Sequence, residues 1–167
     1  NLSGEDIREL ADGILPELRR SRMIINYETV GRSDDQIKQQ YAADPARLTP
    51  DELLYAATLE SDPAKKEAIY KKTAELYDKD YRAFNNMAVM AFNKGDESTA
   101  KQYIEQAKAK RADAPEANAN LALIDMKHGD LNAATNHLAD AIDANGFYEV
   151  LGNLNIAKGN YATAVQN

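Results

Sequence analysis

The residues best able to do chemistry in this chain are few, and their spacing argues against catalysis. Its only histidines, His128 and His137, stand nine apart (137 − 128) and flank a turn. They lack the i,i+4 spacing and the acidic partner of a helical zinc site, so both are read as surface residues. Asp34-Asp35 lacks the alternating oxygen ligands and the glycine of a calcium loop, and is read as first-turn helix charge. Lys65-Lys66 and Lys71-Lys72 have the spacing of one solvated helix face, offset by Glu67 and Glu75, rather than that of a basic patch. No phosphate loop, GxSxG or HExxH occurs, and there is no cysteine to serve as nucleophile, thiolate ligand or disulfide partner. Nothing singles out a catalytic carboxylate pair among the acids. The expectation is no catalytic residue, no metal site and no cofactor. What remains is side-chain amide chemistry. Asparagine offers a donor and an acceptor together, which suits it to the backbone of an extended peptide.

The totals narrow the partners. The 167 residues suffice for one ordinary domain, and an apolar share of 44% suits a folded, soluble protein. The net charge of −7, from 27 acidic against 20 basic residues, is the wrong balance for neutralising phosphates, so no nucleic-acid partner is expected. No apolar run approaches the ~18–20 residues that span a bilayer, so no membrane insertion is expected. Asn1 is not an initiator Met and the chain stops inside a motif, the pattern of a fragment or processed product whose targeting signals lie elsewhere.

The elements that must position the amides are helices. Ser3 can cap a helix that places Ile7, Leu10, Ala11, Ile14 and Leu15 on one face before Pro16. Met23–Val30 is rich in β-formers and stops at Gly31, which makes it the one strand candidate. A lone strand needs a partner for its backbone, and no second strand is apparent. Its sheet is expected upstream of this chain or in another chain; the alternative is an extended or disordered segment. Ser33-Asp-Asp-Gln36 has capping-box spacing and should start a short helix through Ile37 to Ala43. Thr49-Pro50-Asp51-Glu52 and Asp62-Pro63 start the next two. Helix pairs then follow at roughly 50–60 with 63–78, 81–94 with 97–111, 115–128 with 131–144, and 147–158 with 161–167.

The pairs repeat. Met87-Ala88, Gly95-Asp96, Ala100, Ile104 and Ala107 return 34 residues later (129 − 95) as Leu121-Ala122, Gly129-Asp130, Ala134, Leu138 and Ala141. Glycine lets the first helix end in a left-handed cap, and the following Asp caps the second. Alanine at the crossing points lets helix axes approach closely. The step from Gly129 to Gly159 is 30 (159 − 129), so the helix ending near Asp143 should be about one turn short.

A 34-residue repeat of two amphipathic helices resembles the tetratricopeptide family, over about Arg47 to Asn167. The turn position reads Ser61-Asp62, Gly95-Asp96, Gly129-Asp130 and Gly159-Asn160. The large residue of the first helix is Phe84 or Tyr148, and the small residue opening the second is Ala100, Ala134 or Ala164. The resemblance implies an all-α fold, an α-α superhelix built as a tetratricopeptide-like solenoid of helical hairpins, with a short N-terminal helix-strand appendage. Residues 1–46 would be that appendage, the tail of an upstream α/β domain. Residues 47–167 would be repeats bounded at 47–80, 81–114, 115–144 and 145–167, the last one cut. In this family the first helices line a concave groove. Carried over position by position, that groove would include Tyr55, Arg82, Asn85, Asn86, Asn120, Leu123 and Asn153. The alternative for Asn86 and Asn120, which share a place in the repeat, is that they bond between helices. The family's Lys/Arg clamp for C-terminal carboxylates is missing, since the corresponding places hold Asp51, Tyr55 and Glu116.

The family likeness implies a non-enzymatic scaffold that binds a peptide or partner domain. A second resemblance leads elsewhere. Leu18-Arg19-Arg20-Ser21-Arg22-Met23-Ile24-Ile25, within Leu15–Val30, is similar to the last helix and strand of an OmpA-like domain of bacterial envelope proteins. It would imply peptidoglycan association through upstream sequence, and a periplasmic or outer-membrane-associated location. A third reading makes the chain the targeting arm of an enzyme whose catalytic domain is absent.

Overall fold

The computed structural model describes residues 24–25 and 31–159. All regular structure among the described residues is helical. Helix α1 spans Asp34–Ala43, α2 Pro50–Thr58, α3 Pro63–Leu76, α4 Tyr81–Asn93, α5 Glu97–Lys110, α6 Pro115–Lys127, α7 Leu131–Ala139 and α8 Phe147–Ala157; a 3-10 turn, Pro45–Arg47, follows α1.

Local chemistry sets most helix starts. Ser33 and Thr49 form full capping boxes with Gln36 and Glu52. Each box satisfies two backbone donors that the first turn leaves without partners. The Asp62, Asp80, Asp96 and Asp130 side chains accept from the first-turn amides of α3, α4, α5 and α7. The ends of α4 and α6 are set by glycine. Gly95 and Gly129 take φ of 82° and 78°, and each donates to the carbonyl three residues before it, Phe92 and Met126. The next amides, of Asp96 and Asp130, reach back to Ala91 and Asp125 at 3.0 and 2.9 Å. This is the same double-bonded left-handed cap twice, 34 residues apart (129 − 95). The two repeats therefore turn their corners identically.

The described residues divide into two compact units: 25–117, and 118–159 together with Ile24. In the first, α1 packs on α2, α2 on α3, α3 on α4 and α4 on α5. Helix α1 lies in the stretch read from sequence as an appendage, yet Ile37 joins Leu48, Leu53, Leu54, Ile69 and Tyr70 in one buried cluster. The Tyr77 hydroxyl closes this cluster's edge by donating to the Leu48 carbonyl at 2.6 Å. The lysine face of α3 is solvated as expected, with Lys71 bonded to Glu67 at 2.8 Å and Lys72 to Glu75 at 2.5 Å. The crossing alanines Ala83, Ala88, Ala100 and Ala107 are fully buried.

In the second unit α7 packs on α8. Ala119, Ala122, Ala134, Leu138, Ala141, Ala144, Val150 and Leu154 form its core. Helix α7 ends at Ala139, earlier than the expected 144. The chain then runs through successive i→i+3 bonds, Ala141 to Leu138, Ala144 to Ala141 and Phe147 to Ala144. The four residues removed from the repeat (34 − 30) are one helical turn, and this tight path replaces it. Apolar periodicity continues through Ala141 and Ala144 because the path still buries them. Gly146, with φ of 82°, then enters α8 without a side-chain cap.

The expected N-terminal helix, the last helix at 161–167 and most of the expected strand lie outside the described residues. Ile24 and Ile25, the two described members of that strand, have no regular secondary structure.

Candidate functional site

Four of the seven groove residues expected from sequence belong to the 25–117 unit, where each is held by a neighbour. The Tyr55 hydroxyl donates to Asp34 at 3.1 Å. Arg82 is bonded to Asp80 at 2.6 Å and to Asp51 at 2.7 Å. The Asp80 hydrogen bonds hold its guanidinium well above its ordinary range, outweighing burial. Asn85 and Asn86 have no exposed surface at all. The Asn85 amide donates to Asn86 Oδ1 at 3.3 Å. The Asn86 side chain also bonds to Tyr70, whose hydroxyl is pushed up to about 12 by burial in spite of that bond. Near them, the Tyr81 hydroxyl donates to Glu116 at 2.8 Å under the Arg111 guanidinium. Burial first, and then Glu116, raise the Tyr81 pKa far above the phenolic range.

Asn120, Leu123 and Asn153 belong to the other unit, and there the arrangement differs. Asn120 Oδ1 accepts from the Ile24 amide at 2.7 Å, and Asn120 Nδ2 donates to the Ile24 carbonyl at 3.2 Å. One side-chain amide thus takes both main-chain groups of a residue 96 positions away (120 − 24). The two groups of one residue face the same way when its backbone is extended, as in a hydrogen-bonded pair of antiparallel strands. Asn120 thus pairs both main-chain groups of one residue of the expected strand. The sequence reading placed that partner upstream or in another chain; for Ile24 it is a helix side chain of the same chain.

The Ile24 side chain has its own seat. It packs against the apolar cluster of this unit, together with Leu123, Leu131, Phe147 and Leu151. A Cβ built on Gly146 would stand 3.5 Å from Ile24 Cδ1, so the left-handed corner before α8 borders the same seat. Asn153 is buried next in sequence to the core residue Leu154. Asn120 of α6 therefore holds Ile24, and Leu123 of the same helix packs against the cluster that Ile24 joins. Ile24 and Gly146 were not among the groove residues expected from sequence. The available signal was a β-branched run with unpaired backbone and a glycine directly before a helix.

The histidines need one correction. His137 does have an acidic neighbour, Asp125 Oδ2 at 2.6 Å, brought to it by the Gly129 turn. The pair has no third ligand; no group of three metal-binding side chains occurs among the described residues. Nor is any helix among them long and apolar enough to cross a membrane.

No family model and no curated protein matches this sequence. The OmpA-like resemblance of Leu15–Val30 accordingly finds no support, and all of that stretch except Ile24 and Ile25 lies outside the described residues. Among solved structures the chain is similar to one titled "Crystal structure of MamA protein", with a TM-score of 0.54 at 19% identity over 80% of this chain and 75% of that one. At this identity the likeness is one of fold. The chain has a tetratricopeptide-like, all-helical hairpin fold.

Proposed function

We propose that this chain is a non-enzymatic protein-interaction scaffold, and that α6 reads the main chain of an extended protein segment through Asn120. The observation that carries this reading is the two-point bond between Asn120 and Ile24. It is the chemistry a peptide-binding groove needs: a fixed donor and acceptor on a rigid helix, at the spacing of one extended residue. Main-chain bonds supply affinity without regard to sequence, and the apolar seat beside them supplies selection by side chain. The fold likeness to MamA supports a repeat scaffold of this kind.

Of the seven residues expected in the groove, this reading rests on Asn120 and Leu123. Arg82 is spoken for by Asp51 and Asp80, and Asn86 by Asn85 and Tyr70. The test is fluorescence anisotropy of the full chain with short labelled peptides carrying a central Ile. Binding should fall about tenfold or more for Asn120→Ala, and by a similar factor when the central peptide nitrogen is methylated, because each removes a main-chain hydrogen bond in a desolvated site. Arg82→Ala should leave binding within about twofold. Binding that ignores Asn120 and depends on Arg82 would overturn the assignment.

A further inference from the structure

Helix α1, expected in an appendage, forms one wall of a groove in the 25–117 unit. The groove lies at the C-terminal end of α2, between α1 and α3, with a volume of about 380 Å³. Its apolar lining is Ala56, Leu59, Ala68 and Ile69, and Lys38 of α1 and Lys65 of α3 stand exposed on the two walls. The α1 wall is fixed in place. Ile37 is in the core, and Asp34 accepts from the Tyr55 hydroxyl of α2 at 3.1 Å. A preformed groove needs no ordering when a partner arrives. Its charges set it apart from the neighbouring hollow between α3 and α5, where Lys71 lies beside Phe84 and Tyr103 and is bonded to Glu67 at 2.8 Å. Neither Lys38 nor Lys65 has a hydrogen bond or ion pair among the described residues, and the hydroxyl of Tyr41, which also lines the groove, has no hydrogen bond there. The nearby acids are engaged elsewhere: Asp34 with Tyr55, Glu75 with Lys72, and Glu60 with the Asp62 amide at 3.1 Å.

We propose that this groove is a second docking surface, built from other residues than the Asn120 site, and that it takes a segment of another protein in which apolar side chains are flanked on both sides by Asp or Glu. The apolar residues cover Ala56, Leu59, Ala68 and Ile69, and the flanking acids meet Lys38 on one wall and Lys65 on the other. A lysine on each wall sets that order, since a single charged wall would call for acid on one side only. The Tyr41 hydroxyl adds a neutral donor to a carboxylate. An apolar floor inside a charged rim is the anatomy of a protein-docking surface: burial of the anchor gives affinity, and the rim charges give selection and a faster encounter. The chain carries a net charge of −7, so it repels an acidic partner everywhere except where positive charge is left without a local partner. Preference for an acidic segment therefore reports on this groove and not on the charge of the whole chain.

The test uses the full chain and three labelled hexapeptides read by anisotropy: Glu-Asp-Leu-Leu-Asp-Glu, the basic Lys-Arg-Leu-Leu-Arg-Lys, and Glu-Asp-Ser-Ser-Asp-Glu, which lacks the apolar centre. The unaltered chain should bind the first about tenfold or more tighter than either of the others. Lys38→Glu combined with Lys65→Glu should weaken the first peptide about tenfold or more; both lysines are exposed, so the fold tolerates the change. Lys79→Glu combined with Lys101→Glu changes the net charge equally at other exposed lysines, and should leave binding within about twofold. Ala68→Gln places an uncharged side chain across the apolar lining and should also weaken the first peptide, which separates the floor from the rim. Asn120→Ala should leave binding within about twofold, so the outcome here and the outcome for the Asn120 site are read apart. Absence of binding to the acidic peptide, a preference for the basic one, or affinity unmoved by the Lys38 and Lys65 reversal would overturn the proposal. Binding lost in Asn120→Ala and kept in that reversal would assign the peptide to the Asn120 site and overturn it as well.

Discussion

Asn86 and Asn120 are the same residue in two consecutive repeats, both with no exposed surface, and each takes part in a hydrogen-bond network of its own unit. In the 25–117 unit the amide bonds to Asn85 and the Tyr70 hydroxyl. In the other unit it bonds both main-chain groups of Ile24. The caps, corner glycines and crossing alanines of the two repeats are otherwise alike. Tyr70 is the neighbour that meets the amide in one copy, and the main chain of Ile24 meets it in the next.

The comparison can be broken or sharpened by substitution. The largest effects should be common to both repeats. Met87 and Leu121 hold one repeat position and are 4% and 7% exposed. Alanine at either should destabilise its unit by about 2–5 kcal/mol through a cavity, read as a lowered denaturation midpoint. A neutral Leu121→Ala would mean that the two repeats are not in the register described. Next come the asparagines. Asn86→Leu should cost about 1–3 kcal/mol, because buried Asn85 and Tyr70 both lose a partner. Asn120→Leu should cost less, about 0.5–1.5 kcal/mol, because Ile24 is half-buried and water can replace the amide. Equal losses at both would erase the distinction drawn here.

The corners come third. Gly95→Ala and Gly146→Ala should each cost about 1–2 kcal/mol, from the left-handed backbone alone. A Cβ meets nothing within 4 Å at Gly95, and stands 3.5 Å from Ile24 at Gly146, an ordinary contact. Thermal midpoints lowered by similar amounts are expected; a much larger loss at Gly146 would mean that the seat is tighter than its geometry. The smallest effect is in acid. Burial opposes the charge on Glu52, but the Thr49 amide and Arg32 outweigh it and hold its carboxyl below the usual range. A depressed carboxyl stabilises the fold above its unfolded value. That contribution is lost as pH falls below about 4.3 and on through the lower folded value. Glu52→Gln should therefore flatten the acid limb of stability against pH, and leave its slope above neutrality unchanged. An unaltered acid limb would remove Glu52 from the account.

Much of this architecture was legible because its causes are local. Ser33, Thr49, Asp62, Asp96 and Asp130 cap helices within three residues of themselves, and Gly95 and Gly129 end them. The short α7 was legible in the 30-residue step, although its end was not. Ala141 and Ala144 keep the helical apolar spacing while lying in 3-10-like turns, so periodicity overstates the helix. The contacts that were not legible join distant positions. His137 meets Asp125 only because the Gly129 corner folds α7 back on α6. Arg82 looked available to a ligand, but its pairing with Asp51 depends on a neighbouring helix. The strand-like run at Ile24 announced a need for backbone partners without naming them, since the residue that answers it lies 96 positions on.

The central claim is that Asn120 holds the main chain of Ile24, and amide hydrogen exchange at Ile24 in the full chain measures it most directly. The account predicts a protected Ile24 amide, with protection lost in Asn120→Ala and kept in Asn86→Leu, while amides inside α4 of the Asn120→Ala chain stay unchanged. An Ile24 amide that already exchanges at the unprotected rate in the unaltered chain would contradict it.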